Sequence, residues 1–472
     1  MDVASYYARP PVRQRLEEYL DPLGRGEGST AVSVSGVYAG CDPMPQWEGA
    51  PALPPEALDW LLARGADVAR SMLDRRVFLV HIDLDYQNSS HPDEPFLHPR
   101  ETFARLEPAY AAVDAVLARF DLPVLRLMTG RGYHFTGAVP LEAPVVDDLA
   151  GLSAEDPAWY VTRGQRVYDP RADYSSHVAR AYAGLGLVLE HAAHLVARTV
   201  PRTALLPLVI NGTVVGEVSD RGRECASLDV SFAGDPIDVR SLRCAFSAYQ
   251  LHRLRPDIFG AEAAARPPLA AVPRAPDAPL DAVLESRSLE AAAALAIDAG
   301  ARLPMATGGL TRLVDDYRAS PLRAFHRSFY TVAPHPPARW ADTYDRVDLD
   351  AWPQCVAASL RTPNDLLLQP AHLQHVTRAF LDAGWTPRHV AGLVWSRYAR
   401  DCGWGDRWRR RMDPRTRADY DVRVFAGLID QGLDRGLDFN CVSAREKGLC
   451  PGGACGWDLR AVGRHLRGGY RP

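Results

Sequence analysis

The sequence predicts an α/β (α+β) N-terminal domain built on a mixed sheet, followed by an all-helical C-terminal domain. Three observations predict it. The stretch 77–86, VFLVHIDLDY, opens with four apolar residues and then alternates apolar and acidic positions, the period of a strand. After a polar loop at 87–100 that holds His91 and His98, Phe103, Leu106, Tyr110, Val113 and Leu117 recur at three- and four-residue steps, the period of an amphipathic helix. Beyond residue 305 only helical signals remain; the clearest is Thr386-Pro387, an N-cap hydroxyl before a proline at the first helical position, with Gly384 ending the preceding helix.

With 472 residues the chain is long enough for two or three domains, each with its own core. Its net charge is −4, so no global positive field draws in nucleic acid. Lys447 is the only lysine, and any basic surface is therefore guanidinium, which suits phosphate. No apolar run approaches the roughly 18–20 residues that span a membrane. The N-terminus also lacks the basic-then-apolar layout of a signal peptide, so a cytoplasmic protein without a membrane partner is expected.

In chain order, residues 1–75 read as a lead-in whose last helix, about 55–73, runs into the key strand. A short strand at 123–128 breaks at Thr129-Gly130-Arg131-Gly132 and resumes as Tyr133-His134-Phe135-Thr136. Residues 175–200 read as helix, and 207–218 as a hairpin turning at Asn211-Gly212. The segment 224–232, ECASLDVSF, alternates again and sets Asp229 opposite Leu228 and Val230. Residues 263–282 are rich in Ala and Pro and read as a semi-rigid linker. The expected domains are 1–262 and 306–472, joined by 263–305.

The chemistry lies first in the carboxylates. Asp83 and Asp85 share one face of a strand that reads as buried, where they repel each other unless a cation sits between them. The bland alternative is a strand end with one exposed and one turn-capping aspartate. Two glycines around Arg131 mark a turn that lets backbone approach a ligand closely. His134 points away from Tyr133 and Phe135, either as a core histidine or toward phosphate. Together with Asp229, these acids suit one or two Mg²⁺ or Mn²⁺ ions, which bridge nucleotide phosphates and lower the pKa of an attacking hydroxyl.

The order IDLD (82–85), TGRGYHF (129–135) and LD (228–229) resembles the archaeo-eukaryotic primase superfamily, the catalytic primase subunits and primase-polymerases, over roughly residues 70–260. The resemblance implies template-directed nucleotidyl transfer from NTP or dNTP to a 3′-hydroxyl. It puts the metal-binding acids on Asp83, Asp85 and Asp229 and the nucleotide-binding histidine on His134, with Arg131 in the matching turn. The family's Arg and Ser-x-His element, which binds triphosphate, has loose counterparts in Arg243, Ser247, His252 and Arg253. Expected partners are single-stranded DNA template, nucleoside triphosphates, and a helicase or other replication proteins. Rival readings are a metal-dependent nuclease and a non-catalytic nucleic-acid-binding replication or defence factor, the latter having no need of three acids.

Of the eight cysteines, Cys355, Cys402, Cys441, Cys450 and Cys455 fall in the last quarter of the chain, a pattern of metal or cluster ligation in a reducing compartment. The Pro353-Gln-Cys355 helix start with three later cysteines resembles the iron–sulfur domain of the large primase subunit. This implies a [4Fe–4S] cluster, with Zn²⁺ as the alternative, on Cys355, Cys441, Cys450 and Cys455; the last two stand closer together than in that family, and Cys402 is an alternative member. Between them, Trp395, Arg397, Tyr398, Arg400, Trp404 and Arg407–Arg411 interleave aromatics with arginines, either as a grip for single-stranded nucleic acid or as a helix with its tryptophans in the core.

Overall fold

The computed structural model describes residues 1–25, 32–34, 52–53, 57–70, 72, 74, 76–153, 176–211, 224–231, 242–363, 365–400, 413–434, 436, 438–450, 452 and 455–466. The chain is mixed α/β and divides into two compact units. One comprises Met1–Ile210 and Cys225–Asp315, the other Asn211–Glu224 and Asp316–Pro472.

The strands of the first unit are β1 (Val32–Val34), β2 (Ala52–Leu53), β3 (Val68–Arg70), β4 (Val77–Asn88), β5 (Leu125–Met128), β6 (Gly132–Pro140), β7 (Leu208–Ile210), β8 (Glu224–Asp229), β9 (Leu242–Arg243), β10 (Ala248–Tyr249), β11 (Leu269–Ala270) and β12 (Val272–Pro273). Six form a mixed sheet in the order β12-β5-β6-β4-β8-β7, antiparallel around β4–β6 and parallel at β7–β8. The predicted key strand thus lies inside the sheet. Its alternation matches the prediction: Ile82 and Leu84 are buried, whereas Asp83 and Asp85 are half-buried.

The even-numbered residues of β4 face helices Pro99–Arg119 and Ser176–Thr199, both near their predicted bounds. Phe78 stacks on Tyr182 at 4.1 Å between ring centroids, and Phe103 and Tyr110 pack on Tyr133 of β6. The other face, which carries the acids, is approached by a smaller sheet, β2-β1-β3-β9. Ser247 pins the smaller sheet by accepting the Val68 N–H at 2.7 Å.

Two sequence expectations are corrected here. The helix expected over 55–73 covers only Leu58–Ala63; Gly65, at φ +63°, turns the chain and Val68–Arg70 pairs as a strand. The expected linker, 263–305, is built into the first unit. Within it β11 pairs with β10, β12 completes the edge of the main sheet against β5, and helices Leu280–Glu285 and Leu289–Asp298 follow. Small side chains permit close packing, and Pro273 sits on an edge strand where a missing N–H costs no ladder bond. Arginine supplies what large apolar residues do not: Arg274 donates to Glu107 at 2.7 Å and to Tyr133 Oη at 2.8 Å while lying over the Tyr110 ring. The expected hairpin is described only at β7 and Asn211; its second run lies outside the described residues.

The described elements of the second unit, as expected, are helical. Helices Pro321–Thr331, Pro370–Asp382, Pro387–Tyr398 and Pro414–Asp430 each begin on proline, and Ser320, Thr386 and Asp413 accept a first-turn N–H as N-caps. Their core includes Val376, Phe380, Val390, Leu393, Val422 and Phe425, with Trp352 stacked on Phe380 at 3.9 Å. Among the described residues no helix is long and apolar enough to cross a membrane.

Each unit also buries a neutral histidine. Burial lowers His252 in the first unit and His372 in the second from 6.5 to about 4. Between these values the unfolded imidazoles bind protons that the folded ones refuse, so stability is full above pH 6.5 and falls as pH drops toward 4. At about pH 5 the expected loss is roughly 2 kcal/mol per histidine. Thermal melts followed by circular dichroism at several pH values check this; a flat midpoint across that window contradicts it.

Candidate active site and cysteine cavity

The register between β4 and β6 assembles the first site. Asp83 faces His134 and Asp85 faces Gly132 across the ladder. His134 Nε2 stands 3.6 Å from Asp83 Oδ1, beyond hydrogen-bond reach but near enough to turn toward a shared ligand. Its Nδ1 is buried with no partner among the described residues. Behind it, the His81 ring meets His134 edge-on at 5.0 Å and is fixed by a 2.8 Å hydrogen bond between Nδ1 and Thr136 Oγ1. Burial lowers His134 to about 4, against the pull of the Asp85 carboxylate, so the imidazole is neutral at neutral pH.

The two glycines of the turn make close approaches to the neighbouring strand and to the Tyr249 ring. A Cβ on Gly132 would meet the Leu84 carbonyl oxygen at 2.0 Å and Asp85 Cα at 2.7 Å, and one on Gly130 would enter the Tyr249 ring. Between them Arg131 donates to Asp85 Oδ2 at 2.8 Å, and this carboxylate raises the guanidinium pKa above its ordinary value. Gly132→Ala should therefore displace β4 at the acids and destabilise the first unit by roughly 1–3 kcal/mol or more. Urea unfolding measures this, and an unchanged midpoint contradicts the close approach.

Asp229 ends β8, the strand bonded to β4 on the edge opposite β6, and is half-buried; its Oδ1 accepts the Ser231 N–H at 2.8 Å. The four residues expected to bind triphosphate divide. Arg243 lies over the Tyr249 ring at 4.4 Å, donates to Asp67 at 3.0 Å, and its charge helps to keep His134 neutral. Ser247 is fully buried and spends its hydroxyl on backbone, accepting from Val68 and donating to the Ala248 carbonyl. His252 is buried elsewhere, stacked on Phe96 at 4.4 Å with Nε2 toward the Pro267 carbonyl. Arg253 is exposed and lines a separate hollow with Arg64, Gln250 and Pro267. The structure thus joins Arg131 and His134 to the carboxylates, sets Arg243 in the electrostatic surroundings of His134, and gives Ser247, His252 and Arg253 other contacts.

Several supporting residues escaped the sequence reading. Asp67 holds Arg243 and accepts from the Gln250 backbone, Tyr249 closes over Gly130, and buried Arg287 donates to the Gly130 carbonyl at 3.2 Å. Burial lowers Arg287 to about 10. None lies in a motif, and Arg287 sits in the segment read as linker.

In the second unit Cys355, Cys441, Cys450 and Cys455 line one cavity of about 150 Å³. Cys355 lies in the first turn of helix Gln354–Arg361, and Cys441 opens helix Cys441–Glu446 behind the Asn440 cap. Cys450 is anchored by its N–H to the Ala444 carbonyl at 3.1 Å, after a turn at Gly448 (φ +69°). Cys455 is exposed at the rim. Burial pushes the Cys355 thiol up to about 12, and the other three cysteines push the same way, so a bound cation is what would make this sulfur a thiolate. The donors are all soft sulfur, and one water needs only roughly 10–15 Å³ on this scale, so the cavity has room for several atoms. Cys402 lies outside the described residues. Among the described residues no three His, Cys, Asp or Glu side chains are already gathered around a single point in the manner of a one-ion site.

The described part of the aromatic–arginine stretch is structural. Arg397 and Arg400 both bind Asp345 at 2.7 Å, Tyr398 donates to the Leu367 carbonyl, and Trp395 packs edge-on against Trp340. Residues 401–412, including Trp404, lie outside the described residues.

No family model, curated protein or solved structure matches this chain.

Proposed function

We propose that this chain is a primase or primase-polymerase of the archaeo-eukaryotic type, with catalytic and accessory parts fused. The first unit joins a nucleoside triphosphate to a 3′-hydroxyl on a single-stranded DNA template. The second holds a [4Fe–4S] cluster, or zinc, and grips template, initiating nucleotide or primer end. The observation that carries the reading is the register that sets Asp83 beside His134 and Asp85 beside Gly132. It joins two carboxylates, an imidazole whose buried Nδ1 has no partner among the described residues, and a glycine turn with an arginine on neighbouring strands.

Asp83, Asp85 and, from the adjacent strand, Asp229 would hold two Mg²⁺ or Mn²⁺ ions. Bound there, such ions neutralise phosphate charge and ease deprotonation of the attacking hydroxyl. Arg131, which donates to Asp85, would be available to a phosphate if that carboxylate held an ion. His134, neutral, presents an N–H to a phosphate oxygen, and His81 keeps its ring in place. Arg243 adds positive charge behind it.

The cysteine cavity supports the second half of the reading through the four thiols in its wall and its size, which suit a cluster better than one ion.

His134→Ala tests the phosphate contact. A hydrogen bond to a charged group contributes roughly 1.5–3 kcal/mol, so the KM for nucleotide should rise by roughly 10–150-fold, with a smaller effect on kcat. Unchanged KM and kcat would return His134 to a packing role.

A further inference from the structure

We propose that His375 is a positioning residue for Cys355, its imidazole N–H donating to that sulfur when it serves as a cluster ligand and raising the cluster's reduction potential. This rests on the cluster reading above but concerns a residue outside the cysteine motif. His375 lies on helix Pro370–Asp382, is 3% exposed, and places Nε2 3.3 Å from Cys355 Sγ. The Phe439 ring packs against it at 4.9 Å and holds the imidazole plane.

The chemistry of the pair sets its direction. A ligating thiolate carries no proton, so the one hydrogen bond open to this geometry is donation from Nε2–H to sulfur, which also fixes the tautomer. Cys355 is the buried member of the four, whereas Cys455 at the rim is exposed. An anionic sulfur in a buried wall needs a donor, and water serves the exposed cysteine but not this one. Donors to ligand sulfurs stabilise the reduced, more negative cluster, which moves the potential upward.

The test uses the full chain, purified anaerobically and reduced with dithionite. Iron and sulfide analysis of the wild type comes first; absence of both overturns the cluster reading, and this inference with it. With the cluster present, His375→Leu should shift the midpoint potential downward, and His375→Gln, which restores an N–H donor, should move it back toward the wild type. Equal potentials in wild type and His375→Leu overturn the proposal while leaving the cluster reading intact. Because the leucine variant can lose the cluster through misfolding, a wild-type measurement stands beside it. Pulsed EPR of reduced protein grown on [¹⁵N]histidine should show weak coupling to one histidine nitrogen, and absence of any coupling also overturns the proposal.

Discussion

The double variant Asp83→Ala/Asp85→Ala is expected to lose nucleotide incorporation by about 10³-fold or more while keeping its fold. The size follows from the role: positioning and charge neutralisation supply nearly all catalysis of phosphoryl transfer, and removing the metal's carboxylates removes both. The fold should survive because the two side chains are half-buried and their loss opens no large cavity in the core. It also removes the partner of Arg131, which remains 34% exposed and able to find solvent. Nucleotide incorporation and a thermal melt on the same preparation check this. Incorporation at the wild-type rate would exclude these aspartates as metal ligands.

The second large effect is expected at the cysteines. Cys450→Ser should abolish iron binding and destabilise the second unit, whereas Cys402→Ser should do neither. The run from Gly448 to Gly456 has few large apolar side chains, and Gly448, Gly452 and Gly456 have positive φ angles. Ligation would then supply much of what holds it, as in other small metal-tied segments. Anaerobically purified wild type should be brown, absorbing near ~400 nm as thiolate-bound iron–sulfur centres do. Metal analysis that finds neither iron nor zinc would contradict the cysteine assignment and the large-subunit resemblance with it.

What could be read in advance was local. The strand at 77–86, the glycine turn and the placing of His134 on the face opposite Tyr133 and Phe135 follow from period-two alternation and from glycine, both properties of a few adjacent residues. The meeting of four cysteines at one cavity could be anticipated because thiol chemistry, more than packing, explains their placement. What could not be read depends on distant pairing. Ser247 looks like a ligand-binding hydroxyl until β3 is known to need it, and His252 like a phosphate donor until Phe96 is found under it. Asp67, Tyr249 and Arg287 support the site only because strands far apart in sequence bring them there. The 263–305 segment misled for the same reason, since its contribution is two short strands and two buried arginines that no composition signal marks.

The most direct test of the central claim is incorporation of labelled nucleotides by the purified full chain on single-stranded DNA, with and without a primer, in Mg²⁺ or Mn²⁺. The account predicts template-dependent products built from the nucleotide complementary to the template, lost on chelation and in Asp83→Ala/Asp85→Ala. Metal-dependent shortening of the DNA with no incorporation under any of these conditions would contradict it and assign the same carboxylates to a nuclease.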